Sequence, residues 1–197
     1  MPDRSVVEFF LEVTDEAGKK RSFPAPAIVD GTPSQITNLL YQVDDAYSPL
    51  SSAGDPVYRI IMKEEERAEL IDVIGSGSAG DRDSNARMNA TFISMDGDGL
   101  KVRHNTGVRI RGKGTRKRPP VSLRINFPSD HSWNGVTAIN LNTKYTHLQL
   151  LGSAVFKQAG LPCADVMAVR VLVNGENPAL SESIPERMYG KYAYVEV

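Results

Sequence analysis

Residues 107–112, "GVRIRG", and residues 121–127, "VSLRINF", decide how this chain folds. In both stretches apolar residues alternate with polar ones, the period of two that is typical of a half-buried strand. The basic loop between them contains Gly112 and Gly114, and glycines allow a backbone to approach a ligand closely. The region therefore predicts two strands joined by a basic, glycine-containing loop.

Positive charge is concentrated in the same region. The segment from Lys101 to Arg124 contains no Asp or Glu, although the whole chain has a formal net charge of −1. Such a segment binds something anionic or pairs with the chain's own acidic parts. Backbone amides and guanidinium groups suit phosphate oxygens, whereas the alternative is a solvated hairpin tip whose charges protect a sheet edge. The nine basic residues are at positions 101, 103, 109, 111, 113, 116, 117, 118 and 124.

Composition limits the class of protein. The chain has 197 residues, 41% hydrophobic and 24% charged, which is ordinary for a soluble globular protein. Its single cysteine, Cys163, excludes an internal disulfide and a cysteine metal cluster. No apolar run approaches the roughly 20 residues of a membrane helix, and residues 1–5 lack the pattern of a signal peptide. If the protein is exported, we expect its signal to lie outside this chain.

Residues 70–80, "LIDVIGSGSAG", contain the G-x-G-x-x-G pattern of a dinucleotide-binding turn. That turn needs a strand before it and a helix after it. Residues 63–71 are instead rich in helix formers, and residues 81–87 lack apolar periodicity. The sequence therefore predicts a helix over residues 64–74, followed by a loop over 75–87, and not a Rossmann enzyme.

The remaining pattern predicts strands with few helices. A second helix is expected over residues 146–159, where Leu148, Leu151, Val155 and Ala159 share one face, and a short one near residues 35–41. We therefore predict an α+β fold with a largely antiparallel sheet and two or three helices. Residues 1–26 are expected to end a preceding immunoglobulin-like β domain, residues 27–56 to form a linker, and residues 57–197 to form the main domain. Strands are expected at residues 6–14, 19–23, 57–62, 88–95, 100–103, 106–112, 121–127, 135–141, 165–173 and 192–197.

The order of motifs resembles the N-terminal part of the spore-coat-protein-H (CotH) kinase family. The resemblance covers residues 55–197 and rests on "DPVYRIIMKEEERAEL", "GVRIRGKGTR…SLRINF", "AINLN", "LLGSAVFKQAGLP", "VRVLVNGE" and "YGKYAYVE". It implies an atypical protein-kinase-like fold that binds ATP and Mg²⁺ and phosphorylates Ser or Thr of coat or surface proteins. It also implies an extracellular, cell-surface or spore-surface location.

The resemblance assigns a nucleotide- or phosphate-binding set. Asn140 matches the family's "LNL" strand, and Asn174 with Gly175 matches its "NGE" turn. Where the family has Pro-Lys-Lys-Ser, however, this chain has residues 119–122, "PPVS"; Lys113, Lys117 or Arg118 could substitute. The set consists of Arg109, Arg111, Gly112, Lys113, Gly114, Arg116, Lys117 and Glu196.

The family's catalytic and metal-binding aspartates are expected beyond Val197, in a C-terminal half that this chain lacks. Phosphoryl transfer needs carboxylates for Mg²⁺ and for the attacking hydroxyl, so the fragment is expected to be inactive alone. The alternative is a non-catalytic module whose 101–124 segment binds an acidic protein or a polyanion. Nucleic acid is not expected as a partner, because the pI is near 6.3 and the segment has no interleaved aromatic residues.

Other candidate sites have simpler interpretations. Asp81-x-Asp83-x-Asn85 begins like a calcium loop, but Ala86 replaces the required glycine. The three histidines, at positions 104, 131 and 147, lack metal-ligand spacing. Cys163 is interpreted as buried and inert, and Trp133 as a packing anchor.

Overall fold

The computed structural model describes residues 1–45, 54–75, 84–112, 116, 119–180 and 190–197. Its centre is a closed barrel of seven strands, in the order β10-β11-β13-β12-β7-β8-β9. All neighbouring strands in the barrel are antiparallel except β12 and β7, which are parallel. The barrel strands are β7 (Val57–Ile61), β8 (Met88–Asp96), β9 (Gly99–Ile110), β10 (Leu123–Asn126), β11 (Ala138–Asn142), β12 (Val166–Val173) and β13 (Tyr192–Glu196).

This architecture corrects the predicted fold class. The α+β prediction, with its kinase-like sheet and helices, is wrong: the described residues are mostly β, with a closed barrel and two short α-helices. Most barrel strands lie close to their predicted positions, but the strands expected at residues 100–103 and 106–112 are one continuous strand, β9. What the sequence did not show is which distant strands pair. Closure depends on the long-range pairing of β7 with β12, and alternation alone does not identify a strand's partner.

The barrel interior is filled by the apolar half of each alternating strand. Val108 and Ile110 of β9 face inward with Leu123 and Ile125 of β10, and each is at most 4% exposed. Because side chains alternate across a strand, the residues between them must point outward. The arginines of β9 and β10 are therefore held on the outer surface by the burial of their neighbours.

Trp133 closes the core as a packing anchor, as predicted. It is 1% exposed, and its ring lies 5.6 Å from that of Tyr58 and 5.7 Å from that of Phe92, in edge-to-face geometry. Its indole N–H donates to Ser94 Oγ at 2.8 Å. The indole thus fills space and has a satisfied donor, which is how a tryptophan is stably buried.

Residues 6–42 form three short antiparallel pairs: β1 (Val6–Phe9) with β6 (Leu39–Gln42), β2 (Leu11–Thr14) with β3 (Lys20–Phe23), and β4 (Ala27–Val29) with β5 (Thr32–Ser34). The short helix expected near residues 35–41 is wrong, because β6 lies there. Leu40 is fully buried, and its N–H donates to Thr91 Oγ1 of the barrel at 3.3 Å. The β1–β6 pair therefore packs directly on the barrel.

Two helices flank the barrel. Helix α1 (Glu64–Gly75) has the predicted acidic first turn, and its Glu66 accepts the backbone N–H of Asn89 at 3.0 Å. Because residues 70–74 lie in this helix, the strand that a dinucleotide-binding turn needs is not present there. Helix α2 (Thr146–Gln158) lies against β12 and β13. The predicted face of α2 points to solvent, however, since Leu148, Leu151 and Val155 are each more than half exposed.

Candidate anion-binding site

The outer surface of β9, β10 and β11 carries a group of arginines and asparagines that we call the arginine face. Strand register places Arg109 of β9 directly opposite Arg124 of β10, and Arg124 directly opposite Asn140 of β11. Two residues farther along the same outer surface, Gly107 of β9 lies directly opposite Asn126 of β10. The arginine face consists of Arg109, Arg111, Arg124, Asn126, Asn140 and Asn142.

The arginines of this face repel one another. Partial burial lowers the pKa of Arg109, followed by the charges of Arg124, Arg116, Arg87 and Arg111. Burial and then Arg124 lower the pKa of Arg111 in the same way. Among the described residues, no ion pair joins a carboxylate to Arg109, Arg111 or Arg124. Like charges directly opposite on two strands are destabilising, so this arrangement favours a bound anion.

Neutral groups orient the arginines. Arg109 donates from Nη1 to Asn85 Oδ1 at 3.0 Å, and Arg124 donates from Nε to Asn126 Oδ1 at 3.3 Å. Asn140 is 7% exposed, and its Oδ1 is buried without a hydrogen-bond partner among the described residues. The face therefore combines fixed cations with amide groups, which together suit phosphate or carboxylate oxygens.

A small cavity lies where the basic loop begins. Its volume is about 260 Å³, and Arg111, Gly112, Asn142 and Gln149 line it. Arg111 donates to Asn142 Oδ1, while Asn142 donates from Nδ2 to Gln149 Oε1 at 2.7 Å. Gly112 has φ +90°, a conformation that favours glycine. This chain of amides holds the Arg111 guanidinium at the cavity wall.

Arg116 has a different position from the other predicted site arginines. It is only 7% exposed, and its guanidinium donates to the backbone oxygens of Gly112 and Ser84 and to Asn85 Oδ1. Asn85 Oδ1 thus accepts from both Arg109 and Arg116, at 3.0 Å in each case. Arg116 therefore joins residues 84–85 to the start of the basic loop and orients Arg109 through Asn85.

The structure brings together part of the predicted phosphate-binding set. Arg109, Arg111, Gly112 and Arg116 lie at one end of β9. Glu196 lies at the end of β13, where its charge acts on Tyr194 and Lys157. The other three members of the set, Lys113, Gly114 and Lys117, lie outside the described residues.

Sequence reasoning missed two contributing arginines. Arg124 follows from alternation, since residues 122, 124 and 126 must share the outer face with Arg109. Arg87 could not have been found in this way, because it precedes β8 and reaches the site by packing over Gly107. A Cβ built on Gly107 would lie 3.0 Å from Cδ of Arg87.

The other candidate residues occupy ordinary positions. Cys163 is partly exposed rather than buried, and Ser153 Oγ lies 3.7 Å from its sulfur. No cluster of three or more His, Cys, Asp or Glu residues suited to a metal occurs in the described part of the chain. Within those same ranges, neither helix has the length and apolarity that crossing a membrane requires. Asp81 and Asp83 lie outside the described residues.

A scan of the sequence against protein-family models found no match. A search of curated proteins also found none. The function of the chain is therefore inferred from the arginine face and from the sequence motifs.

Proposed function

We propose that this chain binds phosphate groups of an anionic ligand on the arginine face. The observation that carries the proposal is the outward row Arg109–Arg124–Asn140, next to Arg111. Three guanidinium groups on adjacent strands provide donors whose charges no described carboxylate neutralises. Guanidinium groups form strong, charge-assisted hydrogen bonds with phosphate oxygens.

The first candidate ligand is ATP with Mg²⁺. The CotH resemblance supports this candidate, since Arg109, Arg111 and Asn140 belong both to the family's motifs and to the arginine face. In this proposal the chain is the nucleotide-side part of a protein kinase that acts on Ser or Thr of coat or surface proteins. The arginines would hold the phosphates and stabilise their charge, and Mg²⁺ would neutralise the phosphoryl group during transfer.

The second candidate is an acidic protein or polymer bound without catalysis. Its support is the extent of the positive surface, which combines Arg87 before β8, Arg109 and Arg111 at the end of β9, and Arg124 on β10. The lysine pair of the family is also replaced by Pro120 and Val121. A flat row of arginines suits repeated anionic groups, and such binding is strongly dependent on salt.

Thermal unfolding with three ligands tests the proposal. ATP–Mg²⁺, inorganic tripolyphosphate and heparin are added separately to the wild-type chain at low salt. A ligand at about 100 times its Kd raises the melting temperature by about 5–10 °C in a chain of this size. A shift with ATP or tripolyphosphate that exceeds the shift with heparin supports nucleotide phosphates. A larger shift with heparin, lost in high salt, supports a polymer.

The matched variants are Arg124→Gln and Arg170→Gln. Arg170 lies on β12 between the buried residues Val169 and Val171, and β12 is three strands from β9 and from β10 in the barrel order. Only the Arg124 variant should lose the ligand-induced shift. The proposal fails if no ligand stabilises the wild-type chain, or if both variants respond like the wild type.

A further inference from the structure

A second concave site lies beside the arginine face, between the N-terminal strands and the barrel. This outer cleft is lined by Phe23, Arg87, His104, Asn105, Phe127 and Pro128, and its volume is about 670 Å³. Asp130 and His131 are its other ionisable residues. The volume falls within the range of small-molecule sites.

A β-bulge shapes one wall of the cleft. The register of β8 and β9 shifts between Ala90 and Phe92, so β9 has one extra residue at His104–Asn105. Asn105 has φ +53°, and its Oδ1 is buried without a partner among the described residues. Bulges occur next to binding sites because they redirect a side chain. The Asn105 oxygen is therefore an acceptor that a ligand hydroxyl or N–H could satisfy.

Thr91 connects His104 of the cleft to the N-terminal strands. Thr91 Oγ1 accepts the N–H of Leu40 at 3.3 Å and lies 3.0 Å from His104 Nδ1. When the hydroxyl donates to Nδ1, the ring proton is on Nε2, which is then a donor.

Arg87 supplies positive charge to the cleft. It packs over Gly107, and it has no hydrogen bond or ion pair within the part of the chain that the structure describes. Gly107 lies two residues beyond Asn105 on β9, and Arg87, Asn105 and Gly107 all line the cleft. An anion beside Arg87 and a donor group beside Asn105 could therefore belong to one small molecule.

Apolar surface completes the cleft. Phe127 and Pro128 form one side, and Phe23, which is 55% exposed, contributes from the N-terminal strands. We propose that the outer cleft binds a small planar organic anion with a carboxylate at one end and a hydrogen-bond donor at the other. The carboxylate lies at Arg87, the donor at Asn105 Oδ1 and the ring against Phe127. The cleft adjoins the proposed phosphate site, since Arg87 borders both and Asn126 of the arginine face also lines it.

Isothermal titration with three related compounds tests this inference. The probe is 4-hydroxybenzoate, compared with benzoate, which lacks the donor, and with 4-hydroxybenzamide, which lacks the charge. We expect 4-hydroxybenzoate to bind, and the loss of either group to weaken binding about tenfold. The comparison uses the wild-type chain only, so it does not depend on whether a variant folds.

Two variants locate the ligand. Arg87→Gln should weaken 4-hydroxybenzoate about tenfold and leave 4-hydroxybenzamide unchanged, whereas Asn105→Ala should remove the advantage of 4-hydroxybenzoate over benzoate. Arg170→Gln is the control. The inference is overturned if 4-hydroxybenzoate does not bind at millimolar concentration, if the three compounds bind equally, or if tripolyphosphate competes through Arg124 instead. Neither of the first two results would affect the phosphate proposal.

Discussion

The inner and outer faces of β9 and β10 have the same periodicity but opposite chemistry. On the inner face, Val108, Ile110, Leu123 and Ile125 contact one another in the core. On the outer face, Arg109 and Arg124 lie directly opposite each other and repel. The inner face stabilises the fold, while the outer face is held in place at some cost to it. The difference indicates that alternation in these strands encodes a stable barrel and a positively charged outer surface at once.

The largest expected effect concerns the inner face. Trp133→Ala removes a ring that contacts Tyr58, Phe92, Phe127 and Tyr194, so the free energy of unfolding should fall by about 3–5 kcal/mol. Urea unfolding followed by circular dichroism measures this loss. Trp133→Phe keeps an aromatic ring but loses the bond to Ser94, and it should cost less. A loss below about 1 kcal/mol for Trp133→Ala would show that the core does not depend on this ring.

Arg116 is an exception to the division between an apolar inner face that stabilises the fold and a charged outer face. Although charged, it is buried, and it donates to Gly112, Ser84 and Asn85. Arg116→Ala removes the donors to the backbone oxygens of Gly112 and Ser84, while Asn85 Oδ1 keeps its bond from Arg109. We therefore expect a loss of about 1–3 kcal/mol in the free energy of unfolding. Hydrogen exchange should also become faster at residues 84–87.

Arg116→Lys is the matched variant, because lysine keeps the charge but lacks the planar fork. It should recover little of the loss. Full recovery would mean that charge alone, and not the three directed bonds, is what stabilises this end of the barrel.

The sequence predicted individual helices and strands better than it predicted which strands pair. Helix α1 and the barrel strands followed from local pattern. Helix α2 was predicted at the right residues, but from an apolar face that is exposed. Barrel closure did not follow, since it depends on pairings between residues far apart in the chain. A short helix was expected near residues 35–41, but the apolar residues Leu39 and Leu40 fit either state, and packing on the barrel selects a strand there.

The candidate site was predictable to the same extent. Arg109 and Arg111 were recognised from their strand, and the same alternation places Arg124 beside them. Arg87 depends on a contact with Gly107 that no local pattern records. Arg116 had the predicted charge, but its burial made it a residue that positions Asn85.

A smaller effect is expected where the N-terminal strands meet the barrel. Burial, followed by the charge of His131, lowers the pKa of His104, so the unfolded chain takes up this proton more readily than the folded one. The contribution of His104 is fully present above the usual histidine pKa near 6.5 and is lost as the pH falls through the lowered value. Between pH 7 and pH 5 the free energy of unfolding should therefore decrease.

His104→Gln separates this effect from other titrations. Glutamine retains polar character without titrating near neutral pH, so the variant should show a shallower decrease between pH 7 and pH 5. Identical slopes for His104→Gln and the wild type would contradict the interpretation.

The smallest expected change in stability lies on the outer face, and its sign is what matters. Arg109→Gln removes one of two like charges that are directly opposite across the strands, so the free energy of unfolding should rise by about 0.2–0.5 kcal/mol at low salt. High salt should abolish this gain, because it screens the repulsion in the wild type. The same variant should bind tripolyphosphate more weakly. If removal of Arg109 stabilises the chain and weakens ligand binding, this arginine serves binding and not folding. A loss of stability in Arg109→Gln would instead show that Arg109 stabilises the fold, as Arg116 does.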